Sequence, residues 1–122
     1  MVLVVDDNED SLRIVEAILR SAGFEVCLAR DGKQGVEMAQ ASAPELIVLD
    51  IMMPVMDGVE TLQKLRNSSR TSRIPVILLT AKAQDEDVIA GYQTGADYYI
   101  TKPFTAKQLL YGVRLVLGKA DP

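Results

Sequence analysis

Five positions hold most of the chemical content of this sequence: the pair Asp6-Asp7, then Asp50, Thr80 and Lys102. Each stands at, or within two residues of, the end of a short apolar run: VLVV at 2–5, LIVL at 46–49, PVILL at 75–79 or YYI at 98–100. Singly, each has an ordinary explanation. Asp6 or Asp7 would cap a following helix, Thr80 would complete a strand, and Lys102 would be a solvated turn charge. Together they read differently, because three carboxylates converging on one edge raise each other's pKa unless a cation sits among them. A donor set of oxygens, with no His and one Cys in the chain, selects a hard cation. Few carboxylates, with positions left for water and phosphate, suit Mg²⁺ better than Ca²⁺. Mg²⁺ beside a carboxylate, a hydroxyl and a lysine points to phosphoryl chemistry. Asp50 would be the nucleophile that forms an acyl phosphate, and the metal, Thr80 and Lys102 would hold the equatorial oxygens.

These positions need elements to bring them together. The four runs, with a fifth at 24–29 (FEVCLA), are continuously apolar, as strands of a parallel sheet buried on both faces are. Between the first two, Ile14, Ile18 and Ala22 recur every four residues beside Val15 and Leu19 and stop at Gly23, which predicts a first helix. Asp31-Gly32 opens a second segment that carries Val36 and Ala39 and ends before Pro44, and Asp57-Gly58 opens a third with Val59, Leu62 and Leu65. A fourth runs over 85–94, with an acidic first turn, Gly91 inside it and Gly95 at its end. Thr105 and Gln108 have capping-box spacing and start a last helix that runs to about Leu117. Strand and helix thus alternate five times. The expected fold is a doubly wound (βα)₅ α/β domain, a five-stranded parallel sheet in a three-layer sandwich, over 1–118, with 119–122 as tail or start of a linker. Ligands of such sheets bind outside the carboxyl ends of the strands, where the five positions lie.

Composition narrows the function classes. The chain has 122 residues, 48% hydrophobic and 25% charged, enough for one core and no second domain. Thirteen basic against 17 acidic residues give a net charge of −4, with no electrostatic footprint for nucleic acid or an anionic membrane. Cys27 has no internal disulfide partner, which fits a reducing cytoplasm, and the Met1–Val5 start carries no basic, long apolar export or membrane signal.

The sequence resembles the receiver domain of two-component response regulators along essentially its whole length. The matching motifs are VVDD at 4–7, LDIMMPVMDG at 49–58, LLTAKA at 78–83, GAD at 95–97 and TKPF at 101–104. The resemblance implies the flavodoxin-like strand order 2-1-3-4-5. It also implies Asp50 as the phosphoacceptor, modified to 4-aspartylphosphate, and Asp6, Asp7, Asp50 and the Met52 backbone carbonyl as the Mg²⁺ site. Thr80 would hydrogen-bond the phosphoryl group, Lys102 would pair with it, the Lys102-Pro103 bond would be cis, and Tyr99 would be the switch aromatic. The implied partner is a sensor histidine kinase or histidine phosphotransfer domain, and the chain would be a signalling phosphoacceptor rather than an enzyme.

Two other classes compete less well. A Mg²⁺-dependent phosphatase or phosphotransferase acting on small molecules through an aspartyl phosphate would want a second Asp at position 52, where Met stands, and an inserted cap. A nucleotide or flavin module would want a glycine-rich loop after the first run. In the last helix, Leu109, Val113, Val116 and Leu117 form an inward stripe, which leaves Leu110, Tyr111 and Leu115 as a candidate partner surface. With the segment over 85–94 and the fifth strand, that surface is expected to meet a second copy or an output domain on activation. Met52 and Lys82, two after Asp50 and Thr80, offer attacking water no base, so self-dephosphorylation is expected to be slow to intermediate. Cys27 reads as a buried strand residue, and Gly58 and Gly95 read as turn residues.

Overall fold

The computed structural model describes residues 1–51, 57–80 and 95–118. The expectations at Met52, Lys82, 85–94 and 119–122 fall outside those residues. Five strands, β1 (Val2–Val5), β2 (Val26–Ala29), β3 (Leu46–Asp50), β4 (Val76–Thr80) and β5 (Tyr98–Thr101), form one parallel sheet in the order β2-β1-β3-β4-β5, as expected. Val2 pairs with both Val26 and Leu46, and Thr80 pairs with Thr101. These registers set the carboxyl ends of the strands along one edge.

Continuous apolarity follows from two covered faces, because successive strand residues point to opposite sides. Val2, Val4, Leu46, Val48, Ile77 and Leu79 pack on one side with Leu12, Val15 and Leu19 of α1 (Glu9–Ser21) and with Leu109 and Val113 of α4 (Ala106–Leu117). Leu3, Val5, Ile47, Leu49 and Leu78 pack on the other with Ala39 of α2 (Gly32–Ser42) and with Leu62 and Leu65 of α3 (Gly58–Arg66). The three layers are those expected.

The four helices among the described residues open the same way: the side chains of Asn8, Asp31, Asp57 and Thr105 each accept a hydrogen bond from the backbone amide three residues on. Such a cap contributes about 1 kcal/mol. Thr105 and Gln108 complete the expected capping box. Gly23, Gly95 and Gly118 have positive φ, of which Gly23 and Gly118 end helices.

The inward face of α1 differs from expectation. Leu12, Val15 and Leu19 are buried and Ile18 is half-buried, whereas Ile14 is 57% exposed. Residues 12, 15 and 19 share one side of a helix, and Ile14 lies one 100° step away from it. Ile14 lines an open groove of about 370 Å³ with Val15, Pro103 and Phe104, beside Lys102. The second strand is also shorter than 24–29, because the Phe24 amide closes α1 by donating to Leu19 O at 3.1 Å.

Candidate functional site

Asp6 directly follows β1, and its amide extends the ladder by donating to Ala29 O at 3.1 Å. The side chain is buried and doubly held: Oδ1 accepts from Asn8 N at 2.9 Å, and Lys102 Nζ donates to Oδ2 at 3.4 Å. Asp7, one residue on, is exposed. Asn8, not either aspartate, caps α1, so both aspartates are released from the ordinary role of helix caps.

Asp50 is the last residue of β3 and is 5% exposed. One carboxylate oxygen from each of Asp6, Asp7 and Asp50 lies within 4.8 Å of the others. Lys102 Nζ is also 3.6 Å from Asp50 Oδ2. The lysine is therefore engaged by two carboxylates rather than solvated. Among the described residues, one ammonium against three carboxylates leaves negative charge at this edge, which a divalent cation held by oxygen donors would neutralise. Glu9 is no fourth donor. Arg30 binds both its oxygens, at 2.8 and 3.1 Å, and that hydrogen bonding holds the Glu9 carboxyl below its usual range.

Thr80 ends β4 at 1% exposure, and among the described residues its Oγ1 is the buried side-chain polar atom with no hydrogen-bond partner. Leaving a buried hydroxyl unsatisfied costs about 1–3 kcal/mol, so this oxygen is a place for a polar ligand atom. The Lys102 amide donates to Thr80 O, which ties the lysine to the threonine, and the Lys102-Pro103 bond is cis, as expected. The fold thus brings Asp6, Asp7, Asp50, Thr80 and Lys102 to one edge, and the oxygen donors together with the orphaned hydroxyl fit Mg²⁺ and a phosphoryl group.

The response regulator receiver domain model matches residues 2–114. The chain belongs to that family. The DNA-binding dual master transcriptional regulator RpaA of Synechocystis is 42% identical over 120 residues, 98% of this chain and 50% of the relative. This receiver domain spans about half the length of the curated relatives it matches. Vibrio cholerae chemotaxis protein CheY4 superposes with a TM-score of 0.90 at 34% identity, covering 94% of this chain and 96% of that one. The receiver domain of sensor histidine kinase PA1611 from Pseudomonas aeruginosa PAO1 also gives 0.90 at 34% identity, with 96% of each chain covered. That structure has a magnesium ion coordinated in its active site cleft.

Away from the acidic edge, Tyr99 is half-buried in β5 and packs against the Leu3 side of the core. Tyr111 and Leu115 are 58% and 46% exposed, whereas Leu110 is half-buried against the Val2 side of the core. Leu110 therefore contributes to packing as well as to the candidate surface. An open groove of about 790 Å³ runs beside it, lined by Tyr98, Tyr99, Thr101, Lys107, Tyr111 and Arg114.

Two residues that the sequence pattern left unremarked, Asn8 and Arg66, shape the receiver domain, and Gly58 plays a different part from the turn expected of it. Asn8 both caps α1 and holds Asp6, and Asn before an acidic first turn was the available signal. Arg66 gathers Ser72 O, Ile74 O, Gly95 O and the Asp97 carboxylate, a long-range convergence with no local signature. Gly58 is not a positive-φ turn residue like Gly95 but the first residue of α3, pressed against β3.

Proposed function

We propose that this receiver domain, residues 1–118 with 119–122 as tail or start of a linker, is the phosphoacceptor of a two-component phosphorelay. Its donor is the phosphohistidine of a sensor histidine kinase or histidine phosphotransfer domain. A carboxylate oxygen of Asp50 attacks the donor's phosphorus, an O–P bond forms, and the N–P bond to the imidazole breaks with its electron pair returning to nitrogen. Lys102 balances the added negative charge, and the Thr80 hydroxyl donates to a phosphoryl oxygen. Asp6, Asp7, Asp50 and the Met52 carbonyl would hold Mg²⁺, which when bound supplies positive charge opposite the phosphoryl oxygens.

The observation that carries the proposal is the meeting of three carboxylate oxygens within 4.8 Å, with Lys102 Nζ 3.6 Å from Asp50. Family membership supports a signalling role over turnover of small molecules. Thr80 moving toward the phosphoryl group would leave space that Tyr99 follows, coupling Asp50 to the surface of the 85–94 segment, β5 and α4 around Tyr111 and Leu115. That surface would meet a second copy or an output domain. RpaA is by name DNA-binding, but the net charge of −4 favours no direct nucleic-acid contact by this receiver domain. A cytoplasmic location and absence from the membrane accompany the reading, and no helix among the described residues is long and apolar enough to cross a membrane. Incubation with a ³²P-phosphohistidine phosphotransfer domain tests the partner class. Label should move to wild type and not to Asp50→Asn, and equal transfer to both would overturn the proposal.

A further inference from the structure

Gly58 lies where the site's main chain and a helix come closest. Its amide donates to Ile51 O at 3.0 Å, and it is the buried first residue of α3. A Cβ placed on it would fall 2.5 Å from Ile51 Cα, 2.7 Å from Asp50 O and 3.1 Å from Ile51 N. All three are backbone atoms, so no side chain can swing away to make room. Ordinary carbon contacts need about 3.5 Å, so a methyl group here demands a displacement of roughly 1 Å.

Neither neighbour yields easily. The helix is anchored by Thr61, whose amide and hydroxyl both donate to Asp57 O, and by Leu62 and Leu65, which are 0% and 1% exposed. The strand is held by the Ile51 amide donating to Leu79 O at 3.0 Å. We infer that Gly58 is a positioning residue for the phosphoacceptor: its missing side chain lets α3 seat on the Asp50–Ile51 peptide and so sets where the Asp50 carboxylate stands relative to Asp6, Asp7 and Lys102. The inference rests on the phosphoacceptor reading above.

Gly112 supplies a matched control. A Cβ there would meet Tyr98 Cε2 at 3.0 Å and Ile100 Cδ1 at 3.2 Å, both side-chain atoms of β5 rather than backbone beside the acidic edge. Wild type, Gly58→Ala and Gly112→Ala are compared in thermal stability, in Mg²⁺ affinity from the Mg²⁺ dependence of that stability, and in Asp50 phosphorylation by acetyl phosphate. A misplacement of this size should weaken Mg²⁺ binding and slow phosphorylation by about tenfold or more in Gly58→Ala, at saturating Mg²⁺ as well as below it. Gly112→Ala should stay within about twofold of wild type in both, whatever its loss of stability, because distant sites act independently. Equal loss in the two variants, or a Gly58→Ala protein that binds Mg²⁺ and accepts phosphate like wild type, overturns the inference. If Gly58→Ala does not fold, the wild-type Gly58 amide decides: Mg²⁺ should increase its protection from hydrogen exchange, and unchanged protection contradicts the inference. A wild type that is phosphorylated while these arms fail sinks this inference alone, whereas a wild type that is not phosphorylated sinks the phosphoacceptor reading with it.

Discussion

Lys102 Nζ lies 3.6 Å from Asp50 Oδ2, and the same ammonium reaches Asp6 Oδ2 at 3.4 Å. The lysine thus serves as an internal counter-ion for the two buried carboxylates before any ligand arrives. A metal ion must share these carboxylates with it. Lys102→Met should therefore tighten Mg²⁺ binding by about threefold or more while weakening the hold on a phosphoryl mimic. Mg²⁺ and beryllofluoride titrations of thermal stability check both halves, and weaker Mg²⁺ binding in the variant would contradict the competition.

Thr80 makes an opposite pair of predictions. Its buried hydroxyl has no partner among the described residues, so Thr80→Val should leave the free protein as stable as wild type or stabilise it by about 1 kcal/mol. The same variant should gain less stability from beryllofluoride with Mg²⁺, because the donor to the phosphoryl oxygen is gone. Urea unfolding with and without the mimic measures both, and a loss of more than about 1 kcal/mol in the free protein would show that the hydroxyl is already satisfied.

Much of this geometry is legible in the sequence because it follows from pattern. Uninterrupted apolar runs ending in Asp6-Asp7, Asp50 and Thr80 dictate parallel strands whose ends converge, and Thr105 with Gln108 dictates where α4 begins. Ile14 was misplaced because an i, i+4 stripe and its neighbour at i+1 share similar spacing, and only packing chooses Leu12, Val15 and Leu19. Arg66 leaves no sign in the sequence, since its partners lie up to 31 residues away, and Gly58 reads there only as a turn residue because the atoms it meets are backbone.

Leu115 and Leu110 should separate under charge substitution. Leu115→Glu, at a 46% exposed position, should keep its fold and lose any beryllofluoride-dependent association seen by light scattering. Leu110→Glu should cost about 1–3 kcal/mol of stability as well, because Leu110 packs against the core. Undiminished association in Leu115→Glu would place the readout elsewhere.

Burial pushes the Cys27 thiol above its ordinary pKa. The folded state therefore holds the thiol proton more tightly than the unfolded one, and this contribution to stability is present below the unfolded pKa and lost as pH rises through the folded one. Native protein should react with iodoacetamide at pH 8 more slowly than urea-unfolded protein, as followed by mass spectrometry. Equal rates would mean that the thiol is neither shielded nor raised.

The central claim is that Asp50 accepts a phosphoryl group at a Mg²⁺-dependent acidic edge, and intact-mass measurement after incubation with acetyl phosphate and Mg²⁺ tests it most directly. Wild type should gain one acid-stable, hydroxylamine-labile phosphoryl group, while Asp50→Asn and EDTA-treated wild type should gain none. Equal labelling of wild type and Asp50→Asn, or labelling undiminished by EDTA, would contradict the account.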